Sequence, residues 1–325
     1  MRKKQTEMKE CFVGIDTSNY TTSVALSDRE GRVIANLKRP LPVKAGECGL
    51  RQSDAVFAHI KNLPDIMSEL KMMLADEYSV LAVGVSATPR DAEGSYMPCF
   101  LAGRSAAYSF AAACGAPVFE FSHQSGHIMA AAYSSGAADT LFDGRFLAFH
   151  VSGGTTEALL VTPKEEGFSV DIVGGTLDLN AGQLIDRVGV MIGLGFPCGA
   201  ELEKLAVSYE GEHERIKVSV NDGHCNISGV ENKARSLYEK SADKPRVAAL
   251  VFDAIRDNII EMTAQLHLKY GEMPVLFAGG VMSNRYMREA LASRFEAYFS
   301  EPAYSADNAA GISLLCRKRF TEDRI

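Results

Sequence analysis

Residues 12–28, FVGIDTSNYTTSVALSD, and residues 146–162, FLAFHVSGGTTEALLVT, are the two stretches on which the fold turns. Each reads as an apolar strand, a short polar bend and a second apolar strand, the pattern of a hairpin buried on both faces. Set 134 positions apart, they place Ser18-Asn19-Tyr20-Thr21-Thr22 over Ser152-Gly153-Gly154-Thr155-Thr156, and Val24 and Leu26 over Ala158 and Leu160. Five short residues match by coincidence about as readily as by duplication, so the elements around them must decide.

After the first stretch, GRVIANLKR adds a third strand and completes an antiparallel meander. From Ser53 onward Val56, Ile60, Leu63, Met67, Leu70 and Leu74 recur at helical spacing, with Pro64 expected to kink or interrupt the helix. VLAVGVSA (80–87) reads as an apolar strand, the alanine-rich run from Phe100 to Ala113 as a buried helix, and PVFEF as a further strand. After the second stretch FSVDIVGG supplies a third strand, helices follow from about Ala181, Glu201 and Arg246, and PVLFAGG leads to a helix near Asn284. The order repeats. It predicts an α/β protein of two similar lobes, at 10–143 and 144–306, each a mixed sheet with helices on both faces. Residues 307–325 form a last helix expected to pack back toward the first lobe. Two such lobes hold ligands in the cleft between them, where hairpin bends offer backbone N–H groups to an anion.

With 325 residues, 46% hydrophobic and 23% charged, the chain is neither disordered nor a disulfide scaffold. Its net charge of -7 does not draw polyanions to it as a whole. A nucleic-acid partner must use a local patch or an accessory subunit. Seven scattered cysteines (Cys11, Cys48, Cys99, Cys114, Cys198, Cys225 and Cys316) include no C-x-x-C pair and read as small buried hydrophobes in a reducing compartment. The charged opening MRKKQTEMKE precedes no apolar signal region, and no long apolar run follows. The expectation is a cytoplasmic protein with no membrane contact.

His123 and His127 stand at i, i+4 directly after PVFEF, at a strand end where open α/β sheets place their sites. On a helix they read either as two ligands of one metal or as two partly exposed histidines. The stretch between them is Gln124-Ser125-Gly126, so the glutamate base of H-E-x-x-H metalloproteases is missing. Two glycine turns, Ser152-Gly153-Gly154 and Gly279-Gly280, follow apolar strands and suit either a phosphate or an ordinary strand-to-helix turn. Asp186 could bind ribose hydroxyls or pair with Arg187. Asp307 reads as a helix N-cap or as the carboxylate of a two-His, one-carboxylate site.

Taken in order, these residues resemble the TsaD family of tRNA threonylcarbamoyladenosine transferases, formerly labelled M22 glycoproteases, from about Phe12 to Arg317. The resemblance rests on GIDTSNYTTSVAL, HQSGH, VSGGTTEALLV, GGTLDLNAGQLIDRVGVMIGLGFPCGAELEKLA, FAGGVMSNRYMREAL and SADNAAGIS. It implies two ribonuclease-H-like lobes of the actin/Hsp70/sugar-kinase (ASKHA) superfamily. It implies one divalent metal, iron or zinc, on His123, His127 and Asp307, with His150 a candidate further ligand. An adenine nucleotide or adenylate would have its phosphate at Ser152, Gly153 and Gly154, and its ribose and base at Asp186, Gly199 and Asn284. The implied reaction moves a threonylcarbamoyl group from its adenylate to the exocyclic amine of the tRNA adenosine beside the anticodon, with TsaB-like and TsaE-like accessory proteins. Two departures stand out: Tyr20-Thr21 replace an Asp-Glu pair, and TPRDAEGSYMPCFLAG carries the foreign residues Arg90, Asp91 and Glu93. They keep open a diverged paralogue that serves as a scaffold or regulator, or that transfers a carbamoyl or acyl group to another acceptor.

Overall fold

The computed structural model describes residues 8–42, 50–75, 77–165 and 167–322; Cys48 lies outside them. The chain divides into two compact units. The first comprises the described residues within Met1–Tyr133, Lys164–Ser169 and Ala306–Ile325, and the second Ser134–Pro163 and Val170–Ser305. The first break along the chain falls after Tyr133, ahead of the short helix Ala138–Phe142.

The first unit opens with strands β1 (Lys9–Thr17), β2 (Thr21–Asp28) and β3 (Val33–Pro40) and helix α1 (Gln52–Leu74). It continues through β4 (Tyr78–Thr88), α2 (Phe100–Cys114), β5 (Val118–Ser122) and α3 (His123–Ser134). The sheet order is β3-β2-β1-β4-β5, with β1 antiparallel to β2 and parallel to β4. β1 is buried on both faces because its side chains alternate between two cores. Cys11, Val13 and Ile15 join the α1 and α2 side, whereas Phe12 joins Ala82, Cys316 and Phe320 on the other. On that second face lies the C-terminal helix, Ala310–Glu322. It comes so close that a Cβ on Gly14 would fall 2.4 Å from the Ser313 nitrogen.

Helix α1 runs on through Pro64, so the proline does not interrupt it. Pro64 is exposed, so water can satisfy the carbonyl its ring frees, while Leu63 and Ile66 on either side are buried. The buried stripe is Ala55, His59, Leu63, Ile66, Leu70 and Leu74, which leaves Ile60 exposed.

The second unit runs α4 (Ala138–Phe142), β6 (Phe146–Val151), β7 (Thr156–Lys164), β8 (Gly167–Thr176), α5 (Ala181–Met191), α6 (Gly199–Val207), β9 (Val220–Asn221), β10 (His224–Cys225) and α7 (Gly229–Ser241). It ends with α8 (Lys244–Tyr270), β11 (Val275–Ala278), α9 (Arg285–Ala292), β12 (Ala297–Phe299) and α10 (Pro302–Ser305). Within its seven-stranded sheet the run β8-β7-β6-β11-β12 repeats the order of the first sheet. Register carries the repeat to single residues: Val13 pairs with Leu26 and Thr17 with Thr22 in the first hairpin, Leu147 with Leu160 and Val151 with Thr156 in the second. The same offset of 134 thus relates both strands and their pairing, and two units with one strand order and one register indicate duplication. Among the described residues no helix is long and apolar enough to cross a membrane.

Candidate metal centre

β5 ends at Ser122, whose hydroxyl accepts the Ser125 backbone N–H and so caps α3. Asp91 Oδ2 holds the Ser122 and Ser125 hydroxyls at 2.9 and 2.7 Å. The acidic residue that looked foreign in the sequence therefore anchors the start of α3. One turn of helix separates His123 from His127, and their Nε2 atoms lie 3.0 Å apart. Asp307 joins them from the segment before the C-terminal helix, with Oδ1 3.2 Å from His127 Nε2 and 3.6 Å from His123 Nε2. The capping alternative for Asp307 does not hold. Asn308 Oδ1 accepts the Ala310 N–H at 3.1 Å, which leaves both Asp307 oxygens turned elsewhere.

One ligand atom from each of His123, His127 and Asp307 lies within 4.8 Å of the others, the only such group among the described residues. Two imidazole nitrogens and one carboxylate oxygen suit iron or zinc and leave coordination positions open. The surroundings fit the same reading. His123 Nδ1 is 2.9 Å from Asp16 Oδ1. A carboxylate on the far nitrogen of a ligating histidine fixes its tautomer and raises its basicity. Ser86 Oγ bonds the same Asp16 oxygen, and Ser18 Oγ donates to Asp307 Oδ2 at 3.0 Å. Asp16 is wholly buried, and its Oδ2 has no hydrogen-bond partner.

Charge follows geometry. Burial favours neutral His123, but Asp16 and Asp307 outweigh it and push its pKa up to about 10. Burial likewise opposes the Asp307 anion, yet hydrogen bonds from His123 and His127 hold it well below the usual carboxylate range. Without metal, a proton occupies the place where a cation would sit. Buried His59 supports the bend above: its Nε2 donates to the Ser18 carbonyl at 2.7 Å, so Nδ1 accepts from Thr22 Oγ1 at 2.8 Å. Burial pushes its pKa down and keeps it neutral.

The other residues singled out in the sequence lie in the second unit. The Ser152–Gly154 turn sits on the start of α5: Gly182 N–H donates to the Ser152 carbonyl at 3.1 Å and Asn180 Nδ2 to the Gly154 carbonyl at 3.0 Å. A Cβ on Gly153 or Gly154 would meet nothing, whereas one on Gly182 would fall 2.6 Å from Gly153. Gly182, not the turn's own glycines, is what the packing requires. Asp186 does not pair with Arg187, which bonds Glu231. Its Oδ1 accepts the Cys198 N–H at 2.8 Å, bringing Asp186 to Gly199 at the start of α6. Asn284 is buried and caps α9 through the Met287 N–H. His150 lies on β6, in register with Glu157 and Ala278, and does not belong to the three-residue group. The sequence reading missed Asp16 and Ser18. The available signal was a charged residue inside an otherwise apolar strand.

The family model for tRNA N6-adenosine threonylcarbamoyltransferase (TsaD) matches residues 53–314. The transferase of that name from Thermus thermophilus is 31% identical over 94% of this chain and 92% of its own length. The one from Thermotoga neapolitana is 28% identical over 93% and 91%. Among solved structures, component A of the (R)-2-hydroxyglutaryl-CoA dehydratase of Acidaminococcus fermentans superposes with a TM-score of 0.53 at 14% identity, covering 96% of this chain and 99% of the other. At that identity the likeness speaks for the ASKHA fold alone. Matched along most of its length, the chain belongs to the TsaD family of tRNA N6-adenosine threonylcarbamoyltransferases.

Proposed function

We propose that this chain transfers a threonylcarbamoyl group from its adenylate to the exocyclic amine of the tRNA adenosine beside the anticodon, with one divalent iron or zinc on His123, His127 and Asp307. The observation that carries the metal dependence is the convergence of those ligand atoms, with Asp16 and Ser18 placed behind them. A bound metal would polarise the acyl carbonyl and offset charge on the adenylate. The chain's own residues do the rest. Asp16 keeps the His123 proton on Nδ1 so that Nε2 points its lone pair into the site. Ser18 holds Asp307 by its outer oxygen. At the exposed turn of Ser152, Gly153 and Gly154 the glycine N–H groups would meet the phosphate, the Ser152 N–H being taken by the Thr155 carbonyl, and Asp186 has a second oxygen for the ribose, with Gly199 and Asn284 beside the base. The new C–N bond replaces the C–O bond to the phosphate, AMP leaves with that electron pair, and the amine gives up one proton.

With a net charge of -7, docking of tRNA falls mainly to partner proteins, TsaB-like and TsaE-like, in the cytoplasm. A second reading keeps the site and changes the acceptor. It is favoured by Tyr20, exposed on the β1–β2 bend where relatives of the family pattern carry a carboxylate. The test is reconstitution: purified chain, partners, tRNA and threonylcarbamoyl-adenylate, read by mass spectrometry of tRNA nucleosides. Modified adenosine that vanishes in a His123→Ala, His127→Ala double variant supports the proposal. Unmodified tRNA, where a family member works alongside, overturns it.

A further inference from the structure

The first turn of α3 takes its fixings from the loop that follows β4. Gln124 N–H donates to the Pro89 carbonyl at 3.1 Å, and Ser125 N–H to the Ser122 hydroxyl at 3.0 Å. The hydroxyls of Ser122 and Ser125 are both buried, and both donate to one oxygen, Asp91 Oδ2. Ser95 closes the loop around that aspartate: its Oγ accepts the Arg90 N–H at 3.0 Å, and its own N–H donates to the Ala92 carbonyl at 3.0 Å. Further along α3, a Cβ on Gly126 would fall 2.8 Å from Ile312 Cδ1, so the body of the helix rests on the C-terminal helix that follows Asp307. That contact fixes where α3 lies. The loop fixes how its first turn, which carries His123, is rolled.

Without Asp91 two buried hydroxyls lose their acceptor. Each must turn elsewhere, and the Ser122 oxygen, which receives the Ser125 N–H, cannot turn without disturbing the first turn. His123 follows Ser122 directly, and a metal site whose supporting groups slip by more than about 0.5 Å loses its geometry. Charge adds to the case. The first turn of α3 has no acidic residue of its own, and the positive end of a helix opposes a cation placed beside it. Asp91 brings a carboxylate to that end from outside the helix.

We propose that Asp91 is a positioning residue for the metal centre: through the Ser122 and Ser125 hydroxyls it sets the roll of α3 and so the aim of His123 and His127. This rests on the metal reading above. The test measures zinc affinity by competition with a chromophoric chelator, and the visible absorption of the cobalt-loaded chain, whose bands report ligand geometry. Asp91→Ala is expected to weaken zinc about ten- to a hundredfold and to shift the cobalt bands. Asp91→Asn keeps a carbonyl oxygen for both hydroxyls, so it should restore the bands, with affinity about two- to fivefold short of wild type because the charge has gone. Ser125→Ala removes one hydroxyl and no charge, and should fall between wild type and Asp91→Ala. Leu70→Ala, which opens a cavity in the α1 core, controls for stability: it should lower the melting temperature and leave zinc affinity and bands unchanged. Wild-type affinity and bands in Asp91→Ala, or in Ser125→Ala where Asp91→Ala does not fold, overturn the inference and leave the metal reading standing. An equal loss in Leu70→Ala overturns it too, since the loss would then follow stability alone. A wild-type chain that binds neither zinc nor cobalt overturns both.

Discussion

Replacing Asp16 by Asn should change how metal binding depends on pH more than it changes affinity at any one pH. The side chain is wholly buried and 2.9 Å from His123 Nδ1, so the isosteric amide can still accept that hydrogen bond while losing the charge. Losing a carboxylate behind a ligating histidine costs about 10- to 100-fold in metal affinity, or about 1.4–2.7 kcal/mol. A second effect opposes it. In the metal-free wild type His123 is held up to about 10, so near neutrality an entering metal must displace one proton. A raised pKa means that the metal-free state binds the extra proton below about 10, so acid favours that state and log affinity climbs by about one per pH unit. In Asp16→Asn the first of the charges raising His123 is gone while Asp307 remains, so the profile between pH 7 and 9 should be flatter than that of the wild type. At pH 7 the two effects can cancel, so the profile is the measurement. Zinc competition against a chromophoric chelator from pH 7 to 9 supplies it, with thermal melts confirming the fold. Parallel profiles for the two proteins would refute the assignment of Asp16 as the partner that tunes His123.

Two further outcomes follow from packing and titration. In Gly311→Ala the new Cβ would lie 1.8 Å from the Gly126 carbonyl oxygen, backbone that no rotamer change can move, so the C-terminal helix must shift. We expect a loss of about 1–3 kcal/mol, seen as a lower melting temperature, together with weaker zinc binding as Asp307 moves away; an unchanged melt would contradict the close approach. His59, its pKa pushed down by burial, contributes stability in full above its unfolded pKa of about 6.5 and loses it as pH falls toward the folded value. Below 6.5, urea midpoints should decline more steeply for wild type than for His59→Gln, by at most about 1.4 kcal/mol per pH unit, and equal slopes would show that His59 does not titrate differently on folding.

How much of this was legible in the sequence depends on the range of each interaction. Strand alternation and helical spacing are local, so β1, β2 and the i, i+4 histidines could be read directly, and the 134-residue offset returns as pairing register. Partners set by tertiary packing could not. Asp186 meets Cys198 rather than its neighbour Arg187, and Asn308 rather than Asp307 takes the capping role. Pro64 does not interrupt its helix because the cost of proline there is outweighed by a buried stripe on both sides of it. The duplication also sets two hairpins of one register against different neighbours. Asp16 pairs with Ser23 where, 134 positions on, His150 pairs with Glu157, and Ser18 corresponds to Ser152. In the first unit that bend turns side chains, Asp16 and Ser18, toward His123 and Asp307. In the second it turns backbone, the Ser152 carbonyl receiving Gly182 and the Gly154 carbonyl receiving Asn180, which fixes an exposed glycine turn at a helix start. A short polar bend between apolar strands therefore recurs in both units. Whether its side chains or its backbone are engaged is set by the helix that arrives beside it, a long-range fact invisible in the bend itself.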